Sequence, residues 1–262
     1  MKRKFLVLIL FVFMIVGCTA KQSNDMDLLR QIQEKGELVI ATEGTWAPWT
    51  YHNQDDQLVG FDVELGKLIA DKLGVEAVFV EAEWDSLFAG LDAGRYDLVI
   101  NGVEITDERK EKYDFTEPYA YIKTAIIVEN SNDSIHSFED LEGKQTANTL
   151  ASTYATLAES YGANPTGVDD LSQTMELVLS GRVDATLNAE VSYYDYIKEH
   201  PNASIKIAAL TTDASFVSIP LRKNENTESL MNEINKIIME LKESGELSEL
   251  SNQYFGVDLV NQ

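Results

Sequence analysis

The 262-residue sequence predicts an α/β protein built as two units, each a mostly parallel sheet flanked by helices. Two observations carry this. Short apolar runs alternate with amphipathic segments over most of the chain, and the alternation begins again after a long run without Gly or Pro at Ile122–Val128. That run suits a crossover between the units, and nothing there resembles a flexible linker.

Taken in order, Leu28–Gln33 reads as a short helix stopped near Gly36, and Glu37–Ala41 as a strand. The stretch TEGTWAPWTYH (Thr42–His52) then holds two of the three Trp in a segment patterned as neither helix nor strand. A turn is expected at Asn53–Asp56. Leu65, Leu68, Ile69 and Leu73 share a helical face between a cap at Asp62 and Gly74. Val75–Val80 is a strand, and a helix capped by Asp85 or Ser86 runs through Leu87, Phe88 and Leu91 to Gly94. Asp97–Ile100 is the next strand. In the second unit Gln145–Thr149, Ala185–Leu187 and Ile205–Ala208 read as strands. Ser152–Ser160, Leu171–Ser180 and Glu190–Glu199 read as helices. Phe216–Pro220 is a last strand, followed by an amphipathic helix carrying Leu230, Ile234, Ile237, Ile238 and Leu241 and ending at Gly245.

The N-terminus has a different character. Met1-Lys2-Arg3-Lys4 is basic, Phe5–Val16 is apolar and Gly17-Cys18 follows. The apolar run is shorter than the roughly 20 residues that span a bilayer and fits an export signal. Residues 1–17 are therefore expected to be a signal peptide. Cys18, the sole cysteine, closes the apolar run as in a bacterial lipobox, where that residue is lipidated; an ordinary signal with an incidental Cys is the alternative. Residues 18–36 would then be the lipidated N-terminus and tether, with the protein exported and anchored facing outward.

Composition excludes more than it identifies. With 21 Lys+Arg against 44 Asp+Glu the net charge is -23, a surface that repels nucleic-acid phosphates. His52, His136 and His200 are scattered without metal-ligand spacing, no phosphate loop or nucleophile elbow is present, and no cofactor, metal or catalytic site is expected. The loop after Asp97–Ile100 is more informative, because ligand sites in α/β folds gather at strand C-termini. There Thr106 and Asp107 can cap a short helix carrying Arg109. The Arg is either a solvated partner of Glu108 or Glu111, or a guanidinium placed to clamp a carboxylate through two parallel hydrogen bonds.

The segments EGTWAPWTYH, LVGFDVELGKLIADKLGV, EWDSLFAGLDAGRYDLVINGVEITDERKEKYDFTEPY and LSGRVDATLNAEVSYYDY, in this order, resemble a polar-amino-acid-binding protein (family 3) of an ATP-binding-cassette importer. The likeness extends from about Glu37 to Phe255, and cystine-binding members show the most similar opening and ITDERKEKYDF run. The resemblance implies a two-lobed, periplasmic-binding-protein-like type II fold with two hinge strands. Lobe 1 would comprise residues 37–123 and 214–258, and lobe 2 residues 124–213. It implies a monomeric receptor partnered by a permease and its ATPase, with an amino acid, cystine favoured, as ligand. A basic or other polar amino acid is the alternative ligand, and a dehydratase-like enzyme is the alternative class.

The resemblance also implies roles. Arg109 would take the ligand α-carboxylate, joined by the turn Ala151-Ser152-Thr153 at a helix start. Gly102, Glu104 and Thr106 would line the first-lobe loop. Glu43 would face the ligand side chain or a second ammonium, and Trp46 would lie against the ligand. One departure from the pattern concerns the α-amino group. The family's Asp at the end of the GRxDA strand is Ala189 here, leaving adjacent Glu190, or Glu104, to supply the charge. Two or more carboxylates in the site would favour a ligand with two cationic groups.

Overall fold

The structure, a computed structural model, describes residues 27–261. The signal segment and residues 18–26, Cys18 among them, lie outside the described residues; the rest of the expected tether, residues 27–36, is described and carries the first helix. Helix α1 (Leu28–Lys35) and strand β1 (Glu37–Thr42) open the first lobe. The stretch Thr42–His52, patterned in sequence as neither helix nor strand, instead carries two short strands, β2 (Thr45–Trp46) and β3 (Thr50–His52), and β3 pairs antiparallel with β2 and with β4 (Leu58–Val59). Then come α2 (Phe61–Leu73), β5 (Glu76–Glu81), α3 (Trp84–Asp92), β6 (Leu98–Val99), α4 (Asp107–Lys112), β7 (Tyr113–Phe115) and β8 (Ala120–Ile122).

The second lobe contains β9 (Thr124–Glu129), β10 (Gln145–Asn148), α5 (Thr153–Ser160), β11 (Asn164–Gly167), α6 (Leu171–Leu179), β12 (Thr186–Ala189), α7 (Glu190–Glu199) and β13 (Ile205–Leu210). The chain returns through β14 (Ser215–Val217) and β15 (Pro220–Arg222) to α8 (Glu228–Ser244) and α9 (Glu246–Phe255).

In the first lobe β1 is flanked by β5 and β6, both parallel to it. The strands end together, so the loops after β1, β5 and β6 converge at one edge. Helices α1, α2, α8 and α9 bury Leu28, Ile32, Phe61, Leu65, Ile69, Ile234, Ile238 and Leu247 against this sheet. The expected α8 stripe is the buried one: Leu230, Ile234, Ile237, Ile238 and Leu241 are all covered. Each fully buried aliphatic side chain of this kind stabilises by about 1.5–3 kcal/mol.

Two strand pairs join the lobes. The run at Ile122–Val128 divides at Lys123: β8 pairs antiparallel with β14, and β9 enters the second lobe between β12 and β13, antiparallel to both. The second lobe is therefore mixed, with its parallel part at β10–β11 and at a bridge from Thr146 to Ala185. A crossover strand that brings the chain in must lie opposite in sense to the strands that carry it back, and this sets the direction of β9. The expected strand at Phe216–Pro220 likewise divides, with β15 pairing to β7.

Two expected caps move. Gly60, not Asp62, precedes α2, and Asp62 is an interior, fully buried residue whose carboxylate turns inward. Helix α3 starts at Trp84 after Glu83, before Asp85 and Ser86. Thr106, Ser152 and Asp170 do cap their helices by side-chain hydrogen bonds.

Candidate ligand-binding cleft

The C-terminal edge of the first sheet faces the N-terminus of α5 across an interlobe cleft. Its cavity is lined from the first lobe by Glu43, Trp46, Trp49, Trp84, Asn101, Gly102, Glu104 and Arg109, and from the second by Asn148, Thr149, Ser152, Thr153 and Tyr154. The cavity volume is about 40 Å³, room for about two or three waters. A free amino acid needs more, so the lobes must part to admit one.

Asn101 organises the β1 side of the site. Its Oδ1 accepts from the Thr42 hydroxyl at 2.9 Å and from the Glu43 backbone N–H at 2.8 Å, while its Nδ2 donates to Glu43 Oε2 at 2.5 Å. Glu43 is only 8% exposed. Burial pushes its carboxyl up to about 7, the Asn101 bond lowers it and the charge of Asp85 raises it. Beneath the loop, Asp62 accepts from the Gly102 N–H at 2.5 Å, and burial likewise raises this carboxyl to about 7. The Tyr119 hydroxyl lies close enough to act on Asp62, although neither it nor Asp62 Oδ1 reaches a partner in hydrogen-bonding geometry. Gly102 has φ +58°, and a Cβ there would press on the Trp49 ring at 3.3 Å, so the loop passes close over that Trp only because no side chain intervenes.

Arg109 follows from the local sequence. The Thr106 hydroxyl accepts from the Arg109 backbone N–H at 3.1 Å and starts α4 so that the guanidinium points into the cleft. There its Nη1 donates to the Glu104 carbonyl at 2.8 Å, and its centre lies 5.2 Å from the Trp84 ring and 5.5 Å from the Phe88 ring. Each such cation–π contact stabilises by about 0.5–2 kcal/mol and fixes the plane of the fork. Burial lowers the Arg109 pKa from its ordinary value, Glu104 opposing, and the group stays a cation.

Hydrogen bonds tie the described parts of the two lobes across the cleft. Thr153 Oγ1 donates to Glu104 Oε1 at 2.7 Å, Trp84 Nε1 to the Ala151 carbonyl at 3.2 Å, and Trp46 Nε1 to Asn188 Oδ1 at 3.4 Å. Trp46 also packs against cores on both sides, and Tyr154 of the second lobe packs against the first-lobe core. The lobes are closed on one another.

Of the residues expected in the site from sequence, Glu43, Trp46, Gly102, Glu104, Arg109, Ser152 and Thr153 line this cavity. Thr106 and Ala151 lie in an adjoining groove, Thr106 engaged as the cap and Ala151 exposed with its carbonyl turned to Trp84. Glu190 is not brought in. As the first residue of α7 its backbone N–H bonds the Lys123 carbonyl, and its half-buried carboxyl sits near Lys123 instead, raised by burial and lowered by that Lys. Ala189 is fully buried at the end of β12, so this strand presents no acid to the cleft.

Sequence reasoning did not single out Trp84, Asn148, Thr149 or Tyr154. Trp84 carried a usable signal: it is the third Trp of the chain and follows β5, the same strand-end position that drew attention to Trp46. Asn148, Thr149 and Tyr154 had none, because their approach depends on how the second lobe docks. Trp49 forms the cavity floor and the core at once, 3% exposed and stacked at 4.7 Å on Phe255.

Fold and cleft together define a two-lobed solute-binding protein. The chain belongs to the bacterial extracellular solute-binding proteins, family 3, whose model matches residues 38–257. It is 37% identical over 269 residues to the L-cystine-binding protein TcyA of Bacillus subtilis, covering 99% of each chain. It is 36% identical over 238 residues to a probable amino-acid ABC transporter-binding protein of Haemophilus influenzae, covering 91% of this chain and 92% of the other.

Among solved structures, it resembles an ancestral arginine-binding protein bound to arginine, with TM-score 0.78, 36% identity, and coverage of 84% and 99%. The L-cystine solute receptor of Neisseria gonorrhoeae, unliganded and open, is 39% identical with coverage of 90% and 99%, yet its TM-score is 0.62. Higher identity with poorer superposition is what a difference in lobe closure produces.

Proposed function

We propose that this protein is the amino-acid receptor of an ABC importer, with cystine as the favoured ligand. It works by binding, without catalysis, and delivers its ligand as a monomer to a permease and ATPase. The observation that carries this reading is one half-buried guanidinium, Arg109, lining the same interlobe cavity as two buried carboxylates, Glu43 and Glu104. An amino acid presents the complementary set. Its α-carboxylate meets Arg109 and the Ser152–Thr153 helix start, and its ammonium meets a carboxylate, each charge-assisted bond contributing about 1.5–3 kcal/mol. The second carboxylate favours a second cationic group, which cystine and the basic amino acids carry and glutamate lacks. The cystine-binding names of two similar proteins support the first choice.

In this reading the lobes divide as residues 37–123 with 214–258, onto which helix α1 and the buried Leu259 and Val260 pack, and 124–213. The chain is exported by its signal segment and held to the membrane by lipid on Cys18. Thermal-shift screening against twenty amino acids plus cystine tests the assignment. Cystine is expected to give the largest rise in melting temperature, and no rise with any of them would end the reading.

A further inference from the structure

We propose that Glu104 is both the counter-charge for the ligand α-ammonium and the latch that draws the second lobe in. The first lobe then carries every ionic contact, and the second closes as an uncharged lid. The proposal rests on the amino-acid-receptor reading above.

The first observation is the distribution of charge. Every charged side chain lining the cavity, Glu43, Glu104 and Arg109, belongs to the first lobe, whereas the second lobe contributes Asn148, Thr149, Ser152, Thr153 and Tyr154. Among the described residues, the salt bridges all lie within one lobe or the other. The end of β12 offers no acid: Ala189 is buried there, and Asn188 Oδ1 accepts from the Ala189 N–H at 2.8 Å as well as from Trp46.

Next comes the placement of Glu104. It is 6% exposed, and its backbone carbonyl holds the Arg109 guanidinium at 2.8 Å. Anion and cation thus stand side by side, matching the adjacent ammonium and carboxylate on one α-carbon. Glu43 is held apart by Asn101 on the β1 side and is available for a group further along the ligand.

Third, second-lobe hydroxyls meet this same Glu104 across the cleft: Thr153 Oγ1 donates to its carboxylate at 2.7 Å, and the Tyr154 hydroxyl lies beside that carboxylate. Two further second-lobe atoms at the cavity, Asn148 Oδ1 and Thr149 Oγ1, are buried without a hydrogen-bond partner. They are neutral groups able to bond an ammonium that Glu104 has already neutralised.

The physical advantage is in desolvation. Removing an ionised group from water costs several kcal/mol, while a hydroxyl or amide that finds a partner costs far less. A lid without charges can close over an already paired zwitterion and lose little hydration. Thr153 then reads the very carboxylate that the ammonium engages, so ligand charge and lobe position are sensed at one residue.

The test measures binding to the wild type, Glu104→Gln and Thr153→Val, using arginine against guanidinovalerate and cystine against dithiodipropionate. Within each pair the second compound lacks the α-ammonium. Lobe separation is followed in parallel by distance measurement between spin labels on the two lobes. Glu104→Gln should reduce the preference for arginine over guanidinovalerate at least about tenfold. Glu43→Gln should leave that preference intact. Thr153→Val should keep the preference while shifting the ligand-bound population toward wider lobe separation.

Equal loss for both members of a pair in Glu104→Gln would mean a merely structural role and overturn the proposal, as would wild-type closure in Thr153→Val. Should the wild type bind none of the twenty amino acids or cystine, the receptor reading itself falls, a distinct result from binding that ignores Glu104.

Discussion

The two walls of the cleft use different chemistry. The first-lobe wall is a set of strand-end loops carrying two buried carboxylates, a guanidinium and three Trp; Glu43 and Arg109 are held by bonds within that lobe, while Glu104, Trp46 and Trp84 also bond across the cleft. The second-lobe wall is a capped helix start with hydroxyls and amides, and it gains its role only when docked. In the proposed reading, one face is arranged in advance for a charged ligand and the other completes enclosure. The contrast teaches that preorganisation can be placed on one side of a hinge, leaving the facing wall of the cavity free of charged groups.

The strongest way to break this contrast is to remove the cation from the first wall. Arg109→Ala is expected to lower affinity for every amino acid ligand more than about 100-fold, since a charge-assisted bidentate contact is lost and Glu104 is left without its neighbour. Calorimetric titration reads this directly, and near-normal affinity would remove Arg109 from the site. Glu43→Gln should be more selective, weakening ligands with a second cationic group about tenfold and leaving a neutral-side-chain ligand almost unchanged. Equal effects on both would mean that Glu43 shapes the pocket without sensing charge.

Proton linkage sharpens the same point. The Glu43 carboxyl is raised from 4.5 to about 7 in the folded protein, so the uncomplexed fold holds a proton that the unfolded chain has released. This contribution to stability is full below about pH 4.5 and is lost as pH rises through about 7; Asp62 acts with the same sign between 3.8 and about 7. A cationic group placed on Glu43 favours its ionised form. Cystine binding near pH 6 should therefore release a fraction of a proton and strengthen toward pH 7, with the release abolished in Glu43→Gln. Titrations in buffers of different ionisation enthalpy measure it, and no proton exchange at pH 6 would contradict the contact.

The smallest expected effect is at Trp84. Trp84→Phe keeps an aromatic face near Arg109 but deletes the bond to the Ala151 carbonyl, so affinity should fall only about three- to tenfold, through faster dissociation. Stopped-flow release kinetics would show this. An effect as large as that of Arg109→Ala would contradict this minor role of the Trp84 cross-cleft bond.

The sequence by itself determined the order of the helices and longer strands, though not the short β2, β3, β7 and β11, together with the α8 stripe, the restart after Ile122 and most of the first wall. These features depend on neighbours in sequence: an apolar period, a cap at Thr106, a strand end followed by Glu43 and Trp46. Tertiary structure alone decided the rest. Whether Asp62 caps a helix or turns inward to hold Gly102 depends on a loop forty residues away, and whether Glu190 or Glu104 meets the cleft depends on how β12 and α7 sit beside Lys123. Asn148, Thr149 and Tyr154 enter the cavity only by docking of the second lobe. Docking is set by burial and hydrogen bonds between segments far apart in the chain, and no local periodicity encodes it.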